Sequence, residues 1–183
     1  MREIFHRRSI RKYRDIPVSA EQLEKLLRAG MAAPSAGNGR EWSFLVIESR
    51  EGRDKFMAAH DASGAVKTAP LLIIVCARVQ EEKYFPEGFW IQDCSAATEN
   101  ILIEAVHLGL GSLWMGIYPC QYRIDKLRKA FHIPEEVVPF SAVAVGVSEF
   151  AKASIDRYMR EYVFYEFYGN SYHQEENAVL DKD

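Results

Sequence analysis

Residues 90–116 read Trp90-Ile91-Gln92-Asp93-Cys94-Ser95-Ala96-Ala97-Thr98-Glu99-Asn100-Ile101-Leu102-Ile103-Glu104-Ala105-Val106-His107-Leu108-Gly109-Leu110-Gly111-Ser112-Leu113-Trp114-Met115-Gly116. Apolar or small residues fall at 91, 94, 97, 101, 102, 105 and 108, which is the spacing of one helix face. Ser95, Ala96 and Thr98 keep the other side small as well, so this helix belongs at a centre or an interface. Gly109 stops it in the manner of a C′ glycine, and Ser112 to Tyr118 follows as a strand candidate. The second half imitates the dinucleotide fingerprint G-x-G-x-x-G, but Trp114 stands where the third glycine is required. That fingerprint also follows a strand and opens a helix. Here the helix comes first and the strand after, so the stretch is a long central helix turning back into a strand.

The flanking chain supplies the partners of that pair. Ser19-Ala20-Glu21-Gln22 fits a capping box, and Leu23, Leu26, Leu27 and Gly30 continue at helical spacing to about Ala32. Pro34 ends this helix, and Pro34 to Gly39 reads as a loop. Phe44 to Ile47 is a short strand. Ser49 can cap a helix with Phe56 and Ala59 on its inner face. Leu71 to Ala77 is apolar throughout, as in a strand covered on both faces. Ile124, Leu127 and Phe131 mark a further helix before Pro134, and Ser141 to Val147 a fourth strand.

The chain has 183 residues, 48% apolar and 27% charged, which suits one globular domain of ordinary size. Residues 1–170 are read as that domain, and 171–183 as a tail that is either ordered or free. The longest apolar run, Ala69 to Ala77, is far short of the ~20 residues a membrane helix needs. The basic start has no apolar h-region behind it, so no secretory signal is expected. A net charge of −3 argues against a nucleic-acid binder as a whole. Cys76, Cys94 and Cys120 are widely spaced and include no C-x-x-C pair, a pattern that suits a reducing cytoplasm. The five histidines lack metal-ligand spacing. No P-loop, H-E-x-x-H or G-x-S-x-G is written here. Chemistry, if any, then falls to a bound cofactor rather than to a side-chain nucleophile or a metal.

Charge is concentrated at the N-terminus, where Arg2, Arg7, Arg8, Arg11, Lys12 and Arg14 account for six of the 23 cations. Guanidinium forks match phosphate oxygens bidentately, and a serine hydroxyl adds a donor. In an extended segment Arg7, Ser9 and Arg11 point to one side and Arg8 to the other. A solvated basic arm, or one that binds acidic partners, is the competing reading. The far end is aromatic: residues 158–172 hold seven of the 22 rings. Two readings stand for it, a surface for a partner or a terminal element packed on its own core.

Several blocks together resemble the nitroreductase family of FMN-dependent oxidoreductases. Arg7-Arg8-Ser9-Ile10-Arg11-Lys12-Tyr13, ahead of a capped helix and Ala33-Pro34-Ser35-Ala36-Gly37-Asn38, is similar to the family's start. Trp90 to Leu102 resembles its central helix, and Leu108 to Gly116 the turn and strand behind it. Val145-Gly146 and the later Asp156-Arg157-Tyr158 resemble the closing strand and its arginine.

The resemblance implies an α+β fold with a central, mostly antiparallel sheet flanked by helices, in an intertwined homodimer. FMN, held non-covalently, sits at the subunit interface. By position, Arg7, Arg8 and Ser9 serve its phosphate end. Arg11 reaches the ribityl chain or the pyrimidine edge, where a cation stabilises the charge that reduction places on the ring. Pro34, Ser35 and Asn38 contact the ring from the partner chain. Trp114, Met115 and Gly116 form the strand along the flavin, and Arg157 closes on the phosphate. Arg40 and Glu41 stand where the family commonly has glutamine and proline. Arg40 beside the pocket either favours an anionic substrate or pairs with Glu41. The implied activity is ping-pong hydride transfer from NAD(P)H to FMN and on to a nitroaromatic, a quinone or another flavin. No side chain acts as nucleophile. A flavin-binding carrier or sensor without turnover would look nearly the same in sequence.

Overall fold

The computed structural model describes residues 2–79, 88–151 and 153–171. Elements follow in the order α1 (Arg2–His6), α2 (Ala20–Met31), β1 (Trp42–Ile47), α3 (Arg50–Ala59), β2 (Leu71–Arg78), α4 (Trp90–His107), β3 (Gly111–Gly116), α5 (Gln121–Phe131) and β4 (Val137–Gly146). The four strands form one sheet in the order β1-β2-β4-β3, and every neighbouring pair is antiparallel. This is the expected α+β architecture.

Burial sorts the helices onto the two faces. Leu72, Ile74 and Cys76 of β2 pack with Phe56, Ile124 and Leu127 from α3 and α5. Leu71, Ile73, Val75 and Ala77 pack the other way, with Leu26 of α2 and Cys94, Ala97, Ile101 and Ala105 of α4. The unbroken apolar run therefore serves two cores, as side chains alternating across a covered strand must.

α2 begins with both bonds of the capping box: Ser19 Oγ accepts from Gln22 N–H (3.1 Å), and Gln22 Oε1 accepts from Ser19 N–H (3.0 Å). Ser49 likewise caps α3, accepting from Gly52 N–H at 3.0 Å. α4 presents Asp93, Cys94, Ala97, Thr98, Ile101, Leu102 and Ala105 to the core. It crosses α2 so closely that a Cβ on Gly30 would lie 3.1 Å from the Ile101 side chain. Gly109, at φ +71°, turns the chain into β3.

Two differences from the sequence reading have clear causes. β4 starts at Val137, four residues earlier than expected. Its Pro139, which cannot donate to a ladder, lies where the register of β2 and β4 shifts between Val75 and Cys76. α1, too short to carry a periodic signal, precedes the extended basic segment. That segment docks on the sheet through a parallel bridge, Ser9 to Ser112, and an antiparallel one, Tyr13 to Ser148. Ile10 and Tyr13 are its buried anchors.

The aromatic arm does not pack on its own core. Tyr158, Tyr162, Phe167 and Tyr168 are 66–94% exposed. Tyr172 and the expectation for the tail beyond 171 lie outside the described residues.

Candidate functional site

The N-terminal arginines are not a loose arm. Arg7 reaches Glu99 in the middle of α4, Nε to Oε1 at 3.4 Å. Burial pushes the Glu99 carboxyl above its ordinary range, and the Arg7 charge opposes that shift. Arg8 donates to the carbonyl of Ala153. Arg7, Arg8 and Arg157 then line one cavity of 360 Å3, together with Ile4, Phe5 and Tyr158. Three arginines separated by up to 150 positions in sequence thus line one hollow, with Asp156 as the acid beside them.

Ser9 lies at the side of this cluster, paired with Ser112 of β3, and Ile10 N–H donates to the Ser112 carbonyl at 2.9 Å. The Ser112 hydroxyl is buried and finds no hydrogen-bond partner among the described residues. Arg11 is exposed and does not line the three-arginine hollow. From Ser112, β3 runs to Gly116. Trp114 faces the α4 side, where it meets Phe140 edge-on at 6.3 Å. Met115 turns its side chain into the α3–α5 core, so only its backbone is available at the sheet surface. Gly116 is exposed, and a Cβ built on it meets nothing within 4 Å. The strand therefore leads from a cationic hollow to a bare stretch of backbone.

The loop after α2 is built with care. Gly37, Asn38 and Arg40 all take positive φ, at 55°, 57° and 56°. For Arg40 this is a strained choice, of the kind concentrated at ligand-contacting loops. The loop is tied down at three points. The Asp93 carboxylate accepts from Ala36 N–H at 3.1 and 3.2 Å. Ser35 Oγ accepts from Arg40 N–H at 3.1 Å, and Arg78 donates to the Arg40 carbonyl at 2.9 Å. Glu41 turns inward, with its Oε1 only 1.7 Å from where a Gly39 Cβ would sit. Arg40 stays exposed, while Pro34, Ser35 and Asn38 lie at or near the surface.

The sequence assigns Asp93 no role and marks Glu41 only as a departure from the family's loop; their burial and contacts reveal what they do. Asp93→Ala is expected to cost about 1–3 kcal/mol by stranding the Ala36 N–H. A lowered denaturation midpoint with faster proteolysis at residues 35–40 checks this, and Asp93→Asn, which keeps an acceptor, should lose much less.

On one chain the loop stands apart from the arginine hollow. Arg40 lines a different cavity, with Leu27, Met31, Trp42 and Arg78, whereas Arg7 meets α4 six residues beyond Asp93.

Comparison with known proteins places the chain in a family and a fold. A model of the nitroreductase family matches residues 4–64 and 58–147. A protein of Methanothermobacter thermautotrophicus, named as an NADH dehydrogenase/NAD(P)H nitroreductase, is 47% identical over 140 residues, covering 76% of this chain and 72% of that one. A crystal structure from Clostridium acetobutylicum, described as an NADH oxidase, superposes with a TM-score of 0.86 at 40% identity, covering 91% of this chain and 99% of the other. Another from Desulfovibrio desulfuricans, described as a nitroreductase in complex with FMN, superposes with a TM-score of 0.77 at 29% identity, covering 91% and 96%.

Proposed function

This chain belongs to the nitroreductase family, and from that premise we propose that it is an FMN-dependent oxidoreductase using NAD(P)H. The carrying observation is the hollow at which Arg7, Arg8 and Arg157 converge, joined by β3 to a glycine with open space above it. The residues fit the cofactor. A phosphate takes the guanidiniums as bidentate donors, and Ser9, next to Arg8 in the same segment, adds a hydroxyl to the set. Trp114 and the backbone of Met115 and Gly116 offer a surface for a flat ring. When bound, FMN accepts hydride from NAD(P)H and passes the reducing equivalents, in a ping-pong cycle, to a small acceptor such as a nitroaromatic, a quinone or another flavin.

The protein's own contribution is to bind, orient and polarise. Arg11 stands on the solvent side of the same segment, as a cation that stabilises charge on the pyrimidine edge would. Pro34, Ser35, Asn38 and Arg40 are given to the ring of a partner chain. Two observations support a homodimer. The loop and the hollow lie apart on one subunit, and the arm exposes Tyr158, Tyr162, Phe167 and Tyr168, rings that a second copy would cover. A cytoplasmic location goes with this reading. Among the described residues no helix is long and apolar enough to cross a membrane.

The test is colour. The purified protein, or its apo form given excess FMN, is expected to show a bound-flavin spectrum that NADH or NADPH bleaches and an acceptor restores. A protein that takes up no flavin refutes the assignment. One that binds FMN but resists bleaching by both nucleotides is a carrier rather than an enzyme.

A further inference from the structure

Glycine is the most permissive residue in φ and ψ, so a glycine at the exposed end of a strand is a poor support for anything resting on it. Gly116 is such a residue, yet its carbonyl is held twice. His60 Nε2 lies 2.9 Å from it and Arg123 Nη1 2.8 Å. Both donors come from the α3–α5 side of the sheet, while Gly116, two residues on from Trp114 and so on the same face, turns its open side toward α4.

Each donor is itself fixed. His60 is 1% exposed and stacks on Phe56 with ring centroids 5.3 Å apart. Its Nδ1 accepts from Ala62 N–H at 3.2 Å, which leaves the ring proton on Nε2 to be donated to Gly116. Burial lowers the His60 pKa, keeping the ring in that neutral form. Arg123, in the first turn of α5, grips Asp61 through Nε and Nη2 at 2.8 and 2.6 Å. The next residue after the histidine thus anchors the second donor, and both lone pairs of one carbonyl are filled.

We propose that His60 and Arg123 are positioning residues for the flavin, locking the Gly116 peptide so that the end of β3 presents a fixed backbone surface to the ring. The inference rests on the reading that the ring lies along β3. With both donors in place the peptide cannot rotate without giving up a buried hydrogen bond and a charge-assisted one.

The experiment uses Arg123→Ala, His60→Leu and His60→Gln, the last retaining an N–H donor. Three quantities are read: the FMN dissociation constant from quenching of free-flavin fluorescence, the absorption bands of the bound flavin, and amide hydrogen exchange at 116–118 in the apoprotein. Arg123→Ala and His60→Leu are each expected to weaken FMN about tenfold, displace the flavin bands and speed that exchange. His60→Gln should restore most of the loss. Arg123 lies at the surface, so Arg123→Ala carries the test if His60→Leu fails to fold. A folded Arg123→Ala with wild-type FMN affinity, unmoved bands and unchanged exchange overturns the proposal. Lost stability with an unmoved flavin spectrum does so too, since it marks a structural role only. A wild-type protein that takes up no FMN refutes instead the underlying reading, and it does so before any variant is made.

Discussion

Arg7→Ala together with Arg157→Ala is expected to leave the purified protein colourless. A hydrogen bond to a charged group contributes about 1.5–3 kcal/mol, so losing one such contact at each arginine removes about 3–6 kcal/mol, or roughly 10²–10⁴ in affinity. Isothermal titration of the apoprotein with FMN measures it. Retained wild-type affinity would place the phosphate anchor elsewhere. The structure adds a control, because Arg7 also pairs with Glu99. Removing the guanidinium leaves a half-buried carboxylate whose pKa burial already raises. A carboxyl with a raised folded-state pKa binds protons more readily folded than unfolded, so its penalty grows as pH rises through the ordinary glutamate range and fades as pH falls. Arg7→Ala should therefore lose more stability at pH 7 than at pH 4. Adding Glu99→Gln should remove that difference without restoring FMN. Arg11→Ala, which leaves the hollow intact, is expected to lower the flavin's reduction potential more than its affinity.

The parts of the fold visible in sequence are those with a local cause. The Ser19 capping box, the Gly109 stop and the alternation hidden in Leu71 to Ala77 each depend on neighbours within a few residues, and each is realised. The start of β4 was hidden because its proline is tolerated only through a shift in pairing with β2, a fact of tertiary structure. The same divide runs through the site. A run of arginines announces an anion, but nothing local brings Arg157 to Arg7 or turns Arg8 toward Ala153. Only the resemblance to a family pointed there. His60 looked like one of five scattered histidines. Its role depends on a carbonyl 56 positions away and on Arg123, which carries no motif either. The loop departure is the clearest case. Sequence leaves Arg40 and Glu41 free to pair or to diverge. The fold sends Glu41 inward under Gly39 and holds Arg40 outward at positive φ.

Gly116→Val is expected to weaken flavin binding sharply while leaving the apoprotein folded. The three glycines of the β3–β4 pair make the contrast. A Cβ on Gly146 would lie 2.5 Å from Pro70, and one on Gly111 2.8 Å from Ile10, so side chains there collide with the protein's own anchors. A Cβ on Gly116 meets nothing within 4 Å, and the residue has no positive φ to be strained. Valine also suits a strand better than glycine does and narrows the unfolded ensemble. The thermal midpoint of the Gly116→Val apoprotein should therefore equal or exceed that of the parent, whereas Gly146→Val should be severely destabilised. The open space above Gly116 is where we place the ring, and overfilling a packed site costs about 1–3 kcal/mol or more, which converts to roughly 10–100-fold in affinity. Fluorescence titration with FMN and a melting curve on the same sample separate the two effects. Because the Gly116 carbonyl keeps both of its donors in this variant, loss of FMN there reports the occupied space rather than the clamp. A well-folded Gly116→Val protein that binds FMN normally would move the ring off β3 altogether, even if the arginines still held the phosphate.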